Sequence, residues 1–88
     1  MNRKQSKEFM KLSDAIAVRL KGLLETRQIT QYRLSKATGI PHSTVSQIMC
    51  GYSPSPKVST LIPIVWGLGL TLSEFFNDEL FDEGKLNL

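Results

Sequence analysis

Within Pro41 to Met49 the chain gathers an imidazole, three hydroxyls and a carboxamide: His42, Ser43 and Thr44 in succession, then Ser46 and Gln47 about one helical turn later. All five side chains hydrogen-bond without a fixed charge. That chemistry suits the edges of nucleic-acid bases, since a carboxamide binds adenine through two hydrogen bonds and hydroxyls accept several bases. His42 also admits two blander roles, a solvated surface residue and a general base. The catalytic one ranks last, because no carboxylate or nucleophile lies near it in the segment. Elsewhere there is no paired-carboxylate site, Ser/His/Asp set, phosphate loop or Cys/His cluster with metal-ligand spacing, so neither an enzyme nor a cofactor or metal is expected. The one cysteine, Cys50, has no intramolecular partner and reads as a helix-end filler rather than a redox sensor.

Such residues act only if something rigid presents them, and the surrounding pattern supplies helices. Ile16, Leu20, Leu23 and Leu24 recur at helical spacing and predict a first helix from about Asp14 to Arg27, with Ser13 as its cap. Thr30 caps a second over Gln31 to Thr38, anchored by Leu34 and stopped by Gly39. Pro41 suits the very start of a third, which turns Val45, Ile48 and Met49 inward, leaves His42, Ser43, Ser46 and Gln47 outward, and halts at Gly51. Ser55 and Pro56 open a fourth, running to about Leu68, that is apolar on almost every face; Pro63 inside it should bend it. Thr71 and Glu74 form a capping-box pattern before Leu72, Phe75 and Phe76 of a short fifth helix. No alternating run is bounded by hairpin turns, so strands are not expected.

The chain has 88 residues, enough for one domain with a modest core. Residues 1–12 read as a flexible basic arm, 13–78 as the folded domain and 79–88 as an acidic tail of partial order. No segment approaches a membrane span, and charges break up the N-terminus where a secretory signal would need an apolar stretch, which together point to the cytoplasm. The net charge of +3 says little by itself, but its distribution says more. No Asp or Glu falls between Thr26 and Ser73, a stretch holding Arg27, Arg33, Lys36 and Lys57, while five of the eight acids lie from Glu74 to Glu83. A basic centre of this kind suits a polyanion, although four cations can also arise by chance.

Two short helices joined by a tight turn, with Ser35 small at the crossing, Gly39 in the turn, and Leu34, Ile40, Val45 and Ile48 along the seam, make a helix-turn-helix over Gln31 to Cys50. The stretch "ITQYRLSKATGIPHSTVSQIMCG" and its continuation "PSPKVSTLIPIVWGLGLTLSEFF" resemble the helix-turn-helix domain of the Cro and phage-repressor class, also called XRE-like. The similarity runs from about Ala17 to Phe76. It rests on Gln31, Leu34, Gly39, Val45 and Ile48 in register, then Gly51, Pro56, Leu61, Leu68, Gly69 and the Leu72 to Phe76 ending.

The resemblance implies an all-α, compact five-helix lambda-repressor-like domain. It also implies sequence-specific binding of double-stranded DNA by a small transcriptional regulator, repressor-like, whose third helix enters the major groove. It places His42, Ser43, Thr44 and Gln47 on base edges, and Gln31, Tyr52, Ser53 and Lys57 on the backbone. Arg33 joins the backbone set, with a solvated face the equal reading for it and for Lys36. This chain departs from the family pattern in having Met49 and Cys50 where many members carry a Glu, and in having no Arg on the third helix, hence no bidentate reader of guanine. Ile62 and Trp66, four apart on the fourth helix, suit either the core or a contact between two copies on a pseudo-palindromic site. The rival reading keeps the fold and makes it an antitoxin or adaptor, holding a protein partner through the fourth helix or the tail.

Overall fold

The structure is a computed structural model and describes residues 10–52 and 54–88. Its chain order is β1 (Met10–Lys11), α1 (Leu12–Arg27), α2 (Gln31–Thr38), α3 (His42–Met49), α4 (Val58–Gly67), α5 (Leu72–Phe76), a 3-10 turn (Glu79–Phe81) and β2 (Leu86–Asn87). All five expected helices are present, and their apolar faces meet in one core. Ile16, Leu20, Leu23 and Leu24 of α1, Leu34 of α2, Val45, Ile48 and Met49 of α3, Leu61, Ile64 and Val65 of α4, Leu68 just after it and Phe75 of α5 are all buried there. Burying a side chain of this size contributes roughly 1.5–3 kcal/mol, which is what holds helices this short in place.

Helix ends follow local rules at Thr30, Gly39 and Thr71. Thr30 Oγ1 accepts from the Arg33 N–H at 3.1 Å, and Gly39 closes α2 in the left-handed region. At Thr71 the capping box is complete: Thr71 Oγ1 accepts from the Glu74 N–H, and Glu74 Oε1 accepts from the Thr71 N–H. The first helix departs from expectation at both ends. It begins at Leu12, with extended Lys11 at the cap position and no side-chain cap, while Ser13 is buried within its first turn. Its end passes through Gln28 at φ 56°, with the Ile29 N–H reaching back to the Leu24 carbonyl, a helix stop usually given to glycine.

Two other boundaries shift. Pro41 occupies the cap position of α3 rather than its first turn, its carbonyl accepting from the Thr44 and Val45 N–H groups. The fourth helix begins at Val58, not Pro56: Lys57 takes the extended cap conformation and its carbonyl accepts from Thr60 and Leu61. Pro56 therefore ends the loop. Pro63 lies inside α4, as expected.

The chain ends correct two further expectations. Met10–Lys11 pairs in parallel with Leu86–Asn87, a minimal strand pair too short to show as alternation in the sequence. Of the arm expected over 1–12, residues 1–9 lie outside the described residues, and the remainder belongs to β1 and the start of α1. The expected tail forms the 3-10 turn and β2, with Phe81 packed against the core. Phe81 meets Phe75 and Phe76 at ring-centroid distances of 5.9 and 4.8 Å. Those aromatic contacts give a terminal segment the buried area that ordering it requires.

Candidate nucleic-acid interface

The angle at which α3 leaves α2 is set by hydrogen bonds in the turn as well as by Gly39. Ser35 Oγ donates to the Ile40 carbonyl. Thr38 Oγ1 donates to the Leu34 carbonyl at 2.8 Å and accepts from the Ile40 N–H at 3.2 Å. Ile40 is thus held at both its N–H and its carbonyl, while Leu34, Val45 and Ile48 close the seam beneath. Ser35, valued in the sequence for its small size, also acts through its hydroxyl.

Gly67, at the end of α4, supports α2 from the other side. A Cβ there would lie 2.8 Å from Thr38 Cγ2 and 3.4 Å from Leu34 Cδ1, so only glycine permits this closeness. A glycine late in a helix is the one local cue to it.

With α3 so placed, His42, Ser43 and Gln47 are exposed and Thr44 is half-buried. Thr44, Gln47, Tyr52 and Lys57 line one cleft of about 460 Å³ between α3 and the loop that follows it. Candidates for base and backbone contact, separated in sequence, thus meet around a common concavity. The loop leaves α3 through Gly51 at φ 75°, with the Tyr52 N–H donating to the Gln47 carbonyl, so the backbone carrying Tyr52 is tied to the turn that carries Gln47. Ser53, the remaining loop candidate, lies outside the described residues.

Gln31 stands half-buried at the start of α2, where the first N–H groups of a helix have no partner within it. Its Oε1 accepts from Ser46 Oγ at 3.0 Å, and Ser46 Oγ lies 3.4 Å from His42 Nδ1. Ser46, expected to point outward, is therefore half-buried and bridges the two helices. Arg33 is exposed on α2, as are Tyr32 and Lys36, whose ammonium sits 5.6 Å from the Tyr32 ring centroid. The acid-free stretch does not stay free of acids in space: Asp14 of α1 lies against Gly51, its Oδ1 2.5 Å from where a Cβ would be. In place of a Glu at the end of α3, Met49 is buried in the core.

On α4, Ile62 is half-buried and Trp66 is 67% exposed, so a plain core role does not describe Trp66. Val58, four residues before Ile62, is 63% exposed and extends the same apolar stripe. Sequence reading passed over Arg19. Its Nε and one terminal nitrogen donate to the carbonyls of Phe75 and Glu74 at 2.8 and 3.0 Å, and its other terminal nitrogen pairs with Asp78 at 3.4 Å. Nothing in the sequence around Arg19 points to partners more than 50 residues away.

Residues 19–79 match the family described as the Cro/C1-type HTH DNA-binding domain. Among solved structures the chain is similar to prophage Lp1 protein 11, at 25% identity and a TM-score of 0.74, over 84% of this chain and 99% of that one. It is also similar to an HTH_3 family transcriptional regulator from Vibrio cholerae, at 33% identity and a TM-score of 0.66. That likeness covers 73% of this chain but 35% of the regulator. No curated protein sequence matches the chain.

Proposed function

The chain belongs to the Cro/C1-type helix-turn-helix DNA-binding family, and from that membership we propose how it works. It is a sequence-specific binder of double-stranded DNA that acts as a small transcriptional regulator, with α3 in the major groove. The observation that carries this is the anchoring of α3: its inner face is locked into the core and its turn is pinned at Ile40, while His42, Ser43 and Gln47 stand exposed without an acid among them.

In this reading His42, Ser43, Thr44 and Gln47 meet base edges, while Gln31, Arg33, Tyr52, Ser53 and Lys57 meet phosphates and fix the register. Support comes from the cleft that gathers Thr44, Gln47, Tyr52 and Lys57. The protein works without chemistry of its own, and in the cytoplasm, where prokaryotic DNA is; no described helix is long and apolar enough to cross a membrane. Two copies bind a pseudo-palindrome with half-sites about one helical turn apart. The exposed Trp66 beside Ile62 supports a contact between copies through α4. The family match favours this reading over that of an antitoxin or adaptor.

Selection of binding sites from random duplexes at a stated salt concentration tests the proposal. It should yield an inverted repeat, and binding should weaken steeply as salt rises. Recovery of no preferred sequence would overturn it.

A further inference from the structure

Among the polar groups of the interface, half-buried Ser46 touches two of the candidate contact residues, His42 and Gln31. Its hydroxyl has one proton, and in this geometry that proton goes to Gln31 Oε1 at 3.0 Å. Two consequences follow for its neighbours. The Gln31 amide is oriented, with Oε1 engaged and the two N–H groups of Nε2 left for an acceptor outside the protein. At His42, Nδ1 lies 3.4 Å from the same hydroxyl oxygen; with the hydroxyl proton directed at Gln31, a hydrogen bond here is one in which Nδ1 carries the hydrogen and donates. The neutral ring then has its hydrogen on Nδ1, and Nε2 becomes a hydrogen-bond acceptor.

We propose that Ser46 is the positioning residue of the DNA-binding face: the relay from His42 Nδ1 through Ser46 Oγ to Gln31 Oε1 aims the Gln31 amide as a phosphate donor and sets His42 Nε2 as an acceptor towards the groove. This rests on α3 being the base-facing helix. An acceptor at that point pairs with the exocyclic amine of adenine or cytosine and is repelled by the acceptor atoms of guanine. His42 thereby reads one base through a tautomer chosen by Ser46. Because the relay joins α2 to α3, the phosphate contact and the base contact are set together.

His42 is the chain's only histidine, so its imidazole nitrogens can be observed without overlap. The test takes the full chain, with Ser46→Ala and Ser46→Thr, and reads two quantities. The first is the nitrogen NMR spectrum of the neutral imidazole without DNA. The second is the relative affinity for operator duplexes that differ only at the base facing His42. The expected result is an Nδ1–H ring in the wild type and the Nε2–H form in Ser46→Ala. Discrimination between adenine or cytosine and guanine at that base should fall about fivefold in the alanine variant, the scale of one hydrogen bond. Ser46→Thr, which keeps a hydroxyl, should restore both.

An unchanged tautomer in Ser46→Ala overturns the proposal. So does a changed tautomer with the base preference intact, which would mean that the relay exists but does not read DNA. Loss of all duplex preference in the wild type would instead overturn the reading of α3, and the NMR result, obtained without DNA, separates that failure from failure of the relay.

Discussion

Gln47 and Lys57 line one cleft but should fail in different ways when removed. Gln47 lies exposed on α3, where its amide can engage a base edge, and Gln47→Ala should cost about 1–3 kcal/mol on the selected operator and little on unrelated duplexes. Lys57 sits at the cap of α4 as an exposed cation. Lys57→Ala should weaken binding to every duplex alike and reduce the slope of affinity against salt by about one counterion. Titrations of both variants at several salt concentrations check the pair. Equal losses on operator and competitor for Gln47→Ala would remove it from the base-reading set.

At the scale of elements, α3 is placed by what braces α2. Gly67 is the tightest part of that brace, because α4 meets α2 at Thr38 and Leu34 with no room for a methyl group. Gly67→Ala should gain a little from helix propensity and lose more from overpacking, a net destabilisation of about 1–3 kcal/mol measured by denaturant unfolding. Because Thr38 also holds the Ile40 N–H, the same change should disturb the turn of the helix-turn-helix and lower operator affinity in protein that remains folded. A variant as stable as the wild type would show that Thr38 and Leu34 can give way without cost.

Across the whole molecule, Arg19 links the first helix to the end of the fifth and to Asp78. It serves as a distant cap: the last carbonyls of a helix need donors, and a guanidinium supplies several in a fixed geometry. Arg19→Leu should cost about 1.5–3 kcal/mol in thermal or denaturant unfolding, as expected for hydrogen bonds to a charged donor in a partly buried place. The closure goes further, since Asn87 and Leu88 line a hollow with Pro54 and Ser55, which brings the chain's end beside the loop that follows α3. Trp66 belongs to the same scale, because the proposed two-fold contact is a property of the assembled surface. Trp66→Ser should shift sedimentation towards the monomer and weaken binding to the full inverted repeat, with binding to an isolated half-site unchanged. Sedimentation equal to that of the wild type would move the contact off α4.

The helices, the turn and the inward face of α3 were legible in the sequence because each rests on short-range rules. Apolar spacing names the buried side of a helix, Thr30 and Thr71 bond to N–H groups three residues on, and Gly39 supplies a conformation most residues resist. The polar residues of α3 could be named for the same reason, since Val45 and Ile48 define which side is left over. Tertiary structure alone decided the inward turn of Ser46 towards Gln31, the brace at Gly67, the return of Asp14 to Gly51, the reach of Arg19 and the pairing of the chain ends. Each is a contact between segments that lie far apart in the chain or on different helices. Helical periodicity assigns a residue to a face, but it does not say which distant atom that face will meet once the helices pack.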